Sequence, residues 1–242
     1  MPIEEAAAAA RAGEMDVVYH MDAETLARVL HKVDQDNRTL VHVVACTGDV
    51  DLLAFVLERG GKDLINHQDD EGWTALHSAT SCAYVETAQL LLANGAKASG
   101  QTKQGRNSLH YAASKGCAEI IPDLLTHGAD PNQRDCTGAT PLHRAAGTGS
   151  LEAARMLVEH GSAKVDAKDK LGETPLALAC RGNHRAVALY LVHKGADVEP
   201  RLQAEDVDGE TPLGLAAPFA HLRQDLADLA LKKKTIQDFG LH

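Results

Sequence analysis

The sequence predicts an all-α solenoid of about seven stacked helix–turn–helix units, with degenerate units at both ends. Three observations carry this reading. A short signature returns six times along 242 residues, at a period near 33. Alanine and leucine dominate the apolar residues, and aromatics make up only 3%. That mixture suits thin, closely packed helices and argues against β-strands, which favour β-branched and aromatic side chains. Helix start and stop signals then recur in register with the signature.

The signature first reads Asn37-Arg38-Thr39-Leu40-Val41-His42 and then Gly72-Trp73-Thr74-Ala75-Leu76-His77. It continues as Gly105-Arg106-Asn107-Ser108-Leu109-His110 and Gly138-Ala139-Thr140-Pro141-Leu142-His143. Two later copies are Gly172-Glu173-Thr174-Pro175-Leu176-Ala177 and Gly209-Glu210-Thr211-Pro212-Leu213-Gly214. The threonine-equivalent positions are 39, 74, 107, 140, 174 and 211. Self-similarity near 33 residues with Thr-Pro-Leu-His is the mark of ankyrin repeats, which the chain therefore resembles.

Each element of a unit has its own local cause. Asp34, Asp69, Asp135, Asp169 and Asp206 stand three residues before the Asn or Gly, making a tip of residues that tolerate turn geometry. Threonine caps the first helix and proline suits its first position. The first helix carries small pairs such as Ala112-Ala113 and Ala145-Ala146, which let neighbouring helices approach closely. A break follows at Gly48, Gly116, Gly149 or Asn183, residues that accept the left-handed conformation. The second helix carries Leu91-Leu92, Leu124-Leu125 or Met156-Leu157 and stops at a glycine.

Residues 1–33 read as a degenerate N-terminal capping repeat, with helices over 6–12 and 25–33. A terminal repeat has a neighbour on one side only and can lose the tip. Residues 34–205 hold five repeats, and 206–242 a C-terminal repeat and cap whose helix aligns Leu222, Leu226 and Leu229. Lys232-Lys233-Lys234 would sit at its C-terminal end, where cations suit the macrodipole. Pro122 falls early in a second helix, which is therefore expected to start late. Extra residues around Asp197-Val198-Glu199-Pro200-Arg201 are expected to bulge outward.

Composition removes several function classes. A net charge of −10 is wrong for a general nucleic-acid binder and suits solubility and a basic protein partner. Five widely spaced cysteines, Cys46, Cys82, Cys117, Cys136 and Cys180, do not make a disulfide framework. They read as packing residues, with Cys82 and Cys117 partly exposed. The N-terminus lacks the basic and apolar regions of a signal peptide, and no apolar run approaches a membrane span. A cytoplasmic protein, free to reach the nucleus, is the expectation.

Some residues imitate chemistry. His42, His77, His110 and His143 recur at one repeat position and invite a metal or catalytic reading. Stacked helices about 8–10 Å apart keep such rings from sharing a zinc ion whose nitrogen ligands sit near 2 Å. The rings are better placed to bond the capping threonine and a neighbouring carbonyl. Gly147-Thr148-Gly149-Ser150 has no preceding strand, so it reads as a helix break and not a phosphate loop. Asn37-Arg38-Thr39 is formally a glycosylation sequon in a repeat tip. No nucleophile triad, HExxH or Walker motif occurs. Neither an enzyme, a cofactor nor a metal is expected.

What remains is a binding face of tips and first helices. Its variable tip residues are Asp36, Arg38, Asp70, Glu71, Trp73, Lys103, Arg106, Glu173, Asp208 and Glu210. Val43, Ser78, Tyr111, Ser114, Lys115, Arg144, Leu178 and Arg181 are the variable positions of the first helices. Trp73, the single tryptophan, and Tyr111 would lie one unit apart, and aromatics and arginines are the residue types that anchor interfaces.

Between Asp34 and Ala196 the chain resembles the gankyrin family, non-ATPase subunits of the proteasome regulatory particle that act as assembly chaperones. The stretches that carry this are Asp34-Gln35-Asp36-Asn37-Arg38-Thr39, Asp69-Asp70-Glu71-Gly72-Trp73-Thr74 and Leu109-His110-Tyr111-Ala112-Ala113-Ser114-Lys115. The resemblance implies a monomer that grips the C-terminal domain of a proteasomal ATPase subunit through complementary charges. The residues it carries over are Asp36, Arg38, Asp70, Trp73 and Lys115. The family's Leu-x-Cys-x-Glu motif for retinoblastoma protein reads Leu178-Ala179-Cys180-Arg181-Gly182 here, without the acid, so that function is not implied. The alternatives are a general signalling adaptor or kinase inhibitor of ankyrin type, and a bare scaffold.

Overall fold

The computed structural model describes residues 23–197, together with Val18, His20, Met21, His221 and residues 223–228. Among the described residues the regular structure is helical throughout. The helices are α1 (Ala23–Leu30), α2 (Leu40–Ala45), α3 (Val50–Glu58), α4 (Ala75–Ser81), α5 (Val85–Ala93) and α6 (Ser108–Lys115). They continue as α7 (Ile121–Thr126), α8 (Pro141–Thr148), α9 (Leu151–Glu159), α10 (Pro175–Arg181) and α11 (Arg185–His193). From α2 onward each short inner helix is followed by an outer helix, as the repeat predicts. The helix expected over 25–33 is α1, which stops at Leu30.

The described residues fall into two compact units, residues 1–112 with 119–130, and residues 113–118 with 131–242. In the first, α2 packs on α4, α3 on α5 and α5 on α7, while the inner helices α2 and α4 pack on their own outer helices α3 and α5. Leu40, Val44, Leu53, Val56, Leu76, Ala79, Ala88, Leu91 and Leu124 form its core. In the second, α8 packs on α10 and α9 on α11, burying Leu142, Ala146, Ala153, Leu157, Leu176, Ala179, Val187 and Leu191. The small residues expected on the inner helices are buried there in both units.

The tip is held by its aspartate. Asp69 Oδ1 accepts the backbone N–H groups of Glu71 (2.9 Å) and Trp73 (2.7 Å), and the Asp69 N–H donates to the Trp73 carbonyl (2.9 Å). Asp34, Asp135 and Asp169 do the same in their own repeats. The turn needs a positive φ, which Gly72 adopts at 77° and Asn37 at 61°. A Cβ at Gly72 would also come within 3.0 Å of the Lys103 nitrogen, so glycine is required there by space as well. Successive tips are stitched by backbone: the Asp70 N–H donates to the Asp36 carbonyl (3.0 Å) and the Lys103 N–H to the Glu71 carbonyl (2.9 Å).

The inner helix start is closed by the registered histidine. The Thr39 N–H donates to His42 Nδ1 (3.3 Å), and the Thr39 hydroxyl lies 2.9 Å from the same nitrogen. His42 Nε2 meets the Trp73 carbonyl in the next tip at 3.1 Å. A carbonyl only accepts, so Nε2 carries the proton and Nδ1 is the acceptor. His143 bonds Thr140 and the Glu173 carbonyl (3.0 Å) in the same way, and His77 bonds Thr74 and the Gly100 carbonyl (3.2 Å). At His110 the capping residue is Asn107, whose N–H meets Nδ1 at 3.2 Å.

Proline accounts for one irregular helix. Residues Ala118–Ile120, which align with the start of α5 and α9, form a 3-10 turn, and α7 begins only at Ile121 with Pro122 in its first turn. The missing N–H thus falls where no helical bond is needed. The helix expected over 6–12 and the loop expected to bulge beyond Asp197 lie outside the described residues, as do most of residues 206–242. Of the predicted C-terminal helix, His221 and residues 223–228 are helical, Leu226 is buried, and Asp225 accepts from Arg185 Nε at 2.6 Å.

Two expectations follow. His143→Ala removes the acceptor of the Thr140 N–H and the donor to the Glu173 carbonyl, and should lower the unfolding free energy by about 1–3 kcal/mol in urea titrations. The second is a pH dependence. Burial holds His77 down to about 4 and also lowers His42 and His143. The folded protein binds these neutral rings, while the unfolded chain protonates them near 6.5. Stability is therefore full above about 6.5 and is lost as pH falls toward 4. His77 alone should cost about 2 kcal/mol between pH 7.5 and 5, read from denaturation curves at both values.

Candidate protein-binding face

The tips and inner helices of the first unit enclose a cleft of about 770 Å³ lined by Asp36, Arg38, Val43, Asp70, Trp73 and Ser78, among others. Asp36, Asp70 and Glu71 are exposed, because the tip-closing work has gone to Asp34 and Asp69. Among the described residues Arg38 is the one cation lining the cleft, and it is already engaged: its guanidinium pairs with Asp34 (3.0 Å) and Asp36 (2.8 Å). Asp34 is held below the usual carboxylate range: burial raises it, but bonds from the Arg38 and Asp36 backbone and from the Arg38 side chain outweigh that. Asp70, Glu71 and Asp69 are left to give the cleft its negative character.

Trp73 is half-buried on this wall. Its ring lies 4.6 Å from that of Tyr111 and 6.3 Å from that of His77, both tilted. The two aromatics read from the sequence as neighbours are thus in contact. Their roles differ from the expectation, however. Tyr111 is only 8% exposed and supports the indole from beneath, leaving Trp73 as the accessible ring. The Tyr111 hydroxyl is buried without a hydrogen-bond partner.

Of the other predicted contact residues, Lys115, Arg144 and Arg181 belong to the second unit. Lys115 ends α6 and is exposed. Arg144 is turned onto the tip aspartate Asp135, whose side chain is fully buried, and Arg144 Nε finds no partner. Burial would raise the Asp135 carboxyl, but bonds from Thr137 and Arg144 drive it well below the usual range. Arg181 forms a two-pronged pair with Glu173. Both arginines are therefore structural braces as well as surface charges, since each is committed to its own repeat. Asp208 and Glu210 lie outside the described residues.

Several sequence readings gain a physical outcome. Cys82 is exposed as expected, but Cys117 is buried, and Cys46 and Cys136 are the further exposed thiols. Cys180 is buried and its thiol is pushed up to about 12 by that burial, so the Leu178–Gly182 stretch offers no reactive cysteine. Asn37 of the formal sequon gives its side-chain N–H to the Gln68 carbonyl, and Thr39 is buried. Cys46 and His42 line the cleft although sequence pattern marked neither as a contact residue. Their one available signal was position: His42 lies on the inner helix and Cys46 closes it, after tips already read as variable.

Repeated helix pairs that present tips and inner helices, with exposed carboxylates around a half-buried tryptophan, define a protein-binding repeat module. Three overlapping segments, residues 7–102, 67–135 and 109–202, match the profile of ankyrin repeats. The chain belongs to the ankyrin-repeat family, a class of protein-interaction modules. It is similar to the 26S proteasome non-ATPase regulatory subunit 10 of Dictyostelium discoideum, with 38% identity over 63 residues. That match spans 26% of this chain and 27% of the relative, about a quarter of each. No helix among the described residues is long and apolar enough to cross a membrane.

The unpaired hydroxyl gives a direct check. Tyr111→Phe keeps the ring against Trp73 and removes a buried polar atom that bonds nothing. Unfolding free energy should stay level or rise by about 1 kcal/mol in urea titrations. A fall of that size would mean the hydroxyl is partnered in solution.

Proposed function

We propose that this protein is a gankyrin-like assembly chaperone that docks the C-terminal domain of a proteasomal ATPase subunit on its tips and inner helices. The observation that carries this is the acidic cleft with Trp73 at its wall, where an apolar anchor is ringed by Asp36, Asp70 and Glu71. Such a surface suits a helical partner presenting lysine or arginine side chains, since charge complementarity sets specificity and association rate. The partial similarity to a 26S proteasome non-ATPase regulatory subunit supports a proteasome-related partner. The mechanism is steric: the bound ATPase domain is covered until assembly is due, and no bond in the partner is made or broken. Its place of action is the cytoplasm, with access to the nucleus.

The charge-reversal test has to respect the tip. Arg38 is unsuitable, because Arg38→Glu would set a third carboxylate against Asp34 and Asp36. Asp70 and Glu71 are exposed, and their side chains take no part in the bonds from Asp69 that close the turn. The double variant Asp70→Lys/Glu71→Lys should lower capture of the purified ATPase domain at least tenfold at low salt, with the melting temperature nearly unchanged. Wild-type capture should weaken as salt rises. Undiminished capture by the variant would refute this cleft. If the wild type captures no proteasomal ATPase domain, the chaperone reading falls and a signalling adaptor or kinase inhibitor takes its place.

A further inference from the structure

The tips of the second unit carry cations that meet no carboxylate. Arg134 and Lys170 are exposed and Lys168 is half-buried, and among the described residues none of the three forms an ion pair. Arg144 and Arg181, by contrast, are committed to Asp135 and Glu173. The three remaining cations gather on two adjoining tips. The Lys170 N–H donates to the Thr137 carbonyl (2.9 Å), and Arg134 Nη2 donates to the Lys168 carbonyl (2.6 Å). Both side chains close over Gly138: a Cβ there would lie 2.9 Å from Arg134 Nη2 and 3.1 Å from Lys170 Cγ. Glycine at this position is what lets the two cations share one spot.

Leu171 follows Lys170 on the same tip. It is 58% exposed, more than Val33 or Tyr84, the other large apolar side chains that reach the described surface. Its backbone is fixed, since its N–H donates to Asp169 Oδ1 at 2.8 Å. We propose that these two tips form a second docking surface, for an acidic protein segment that sets carboxylates on Arg134 and Lys170 and a leucine-sized side chain against Leu171. The surface belongs to the second unit alone, and the charge it suits is opposite to the one the acidic cleft suits.

Charge complementarity selects the occupant. The acid that stands with these cations is Asp169, which is half-buried and has Oδ1 filled by the N–H groups of Leu171 and Glu173. The local balance is therefore positive in a chain whose net charge is −10. Such a patch draws carboxylates to one place while the rest of the surface repels them, which gives specificity of position. The Arg134 guanidinium has one nitrogen on the Lys168 carbonyl and keeps other N–H groups for a carboxylate. Both tips are already tied to each other, so little freedom is lost on binding. A nucleic acid fits less well. Residues 134–140 and 168–174 hold no aromatic ring on which a base could stack, and Leu171 gains nothing from a phosphate backbone.

The full-length protein is titrated against a dye-labelled peptide in which one leucine is flanked by glutamates, with fluorescence anisotropy as the readout at low salt. We expect saturable binding that weakens several-fold as salt rises. Lys168→Glu/Lys170→Glu should weaken it at least tenfold and Leu171→Ser several-fold. Lys103→Glu, on an exposed tip of the first unit, should leave it unchanged. The side chains of Lys168, Lys170 and Leu171 take no part in the bonds from Asp169 that close the turn, and melting temperatures of the variants check that the fold is kept. A peptide with serine in place of leucine reads the apolar contact on the wild type itself, and should bind several-fold more weakly. Absence of saturable binding, equal binding by Lys168→Glu/Lys170→Glu, an equal loss in Lys103→Glu, no preference for the leucine peptide, or tighter binding of single-stranded oligothymidylate would each overturn the proposal. No ATPase domain enters the measurement, so its outcome and that of the chaperone reading are separate.

Discussion

One interaction carries the architecture: the imidazole that bridges a helix start to the next tip. A helix of six to eight residues leaves most of its N–H and C=O groups unpaired within itself. At these short inner helices the start is also buried, where an unpaired backbone group costs about 1–3 kcal/mol. His42 answers both needs, since Nδ1 takes the Thr39 N–H and Nε2 supplies a proton to the Trp73 carbonyl. Because that carbonyl lies 31 positions later, the same ring that caps the start of one helix also sets the register of its neighbour. His143 repeats the device toward Glu173. Neutrality is the condition for it, which is why burial and a lowered pKa belong to the design and why acid should dissolve it.

The binding face follows from how the tips spend their carboxylates. Asp34 and Asp69 have their Oδ1 atoms filled by two backbone N–H groups each and cannot serve a partner through them. Of the next acids along, Asp70 and Glu71 are thereby released to solvent around Trp73, while Asp36 is exposed but paired with Arg38. The second unit uses its charges differently. Arg144 and Arg181 fold back onto Asp135 and Glu173, so two of its cations brace the tips before they meet anything else. Breaking the Asp135–Arg144 pair would strand a fully buried carboxylate, the expensive case for a charge.

Placement of thiols and rings is the part that stacking alone creates. Cys46 and Cys82 are 36 positions apart and close two inner helices that pack on one another, α2 and α4. Tyr111 is drawn under Trp73 by the same repeat-to-repeat contact, which turns an expected anchor into a support. Neither outcome has a local cause. A cysteine at the end of one helix, or a tyrosine inside another, carries the same local preferences whether or not a neighbour covers it.

The sequence by itself determined the repeat, its period and the order of tip, inner helix, break and outer helix. These depend on requirements met within a few residues: an aspartate to close a turn, glycine or asparagine for a positive φ, threonine at a helix start, proline only in a first turn. Pro122 shows how far this reaches, since its position alone anticipates the late start of α7. The tertiary structure decided which charges remain available, which ring faces solvent and which thiols are buried. Those outcomes are competitions for partners about one repeat apart. Arg38 could face a ligand or Asp34, and Arg144 could face a ligand or Asp135; nothing in the nearby sequence ranks the choices. The spacing of the stacked helices does, by bringing one partner within hydrogen-bond reach and leaving the other exposed.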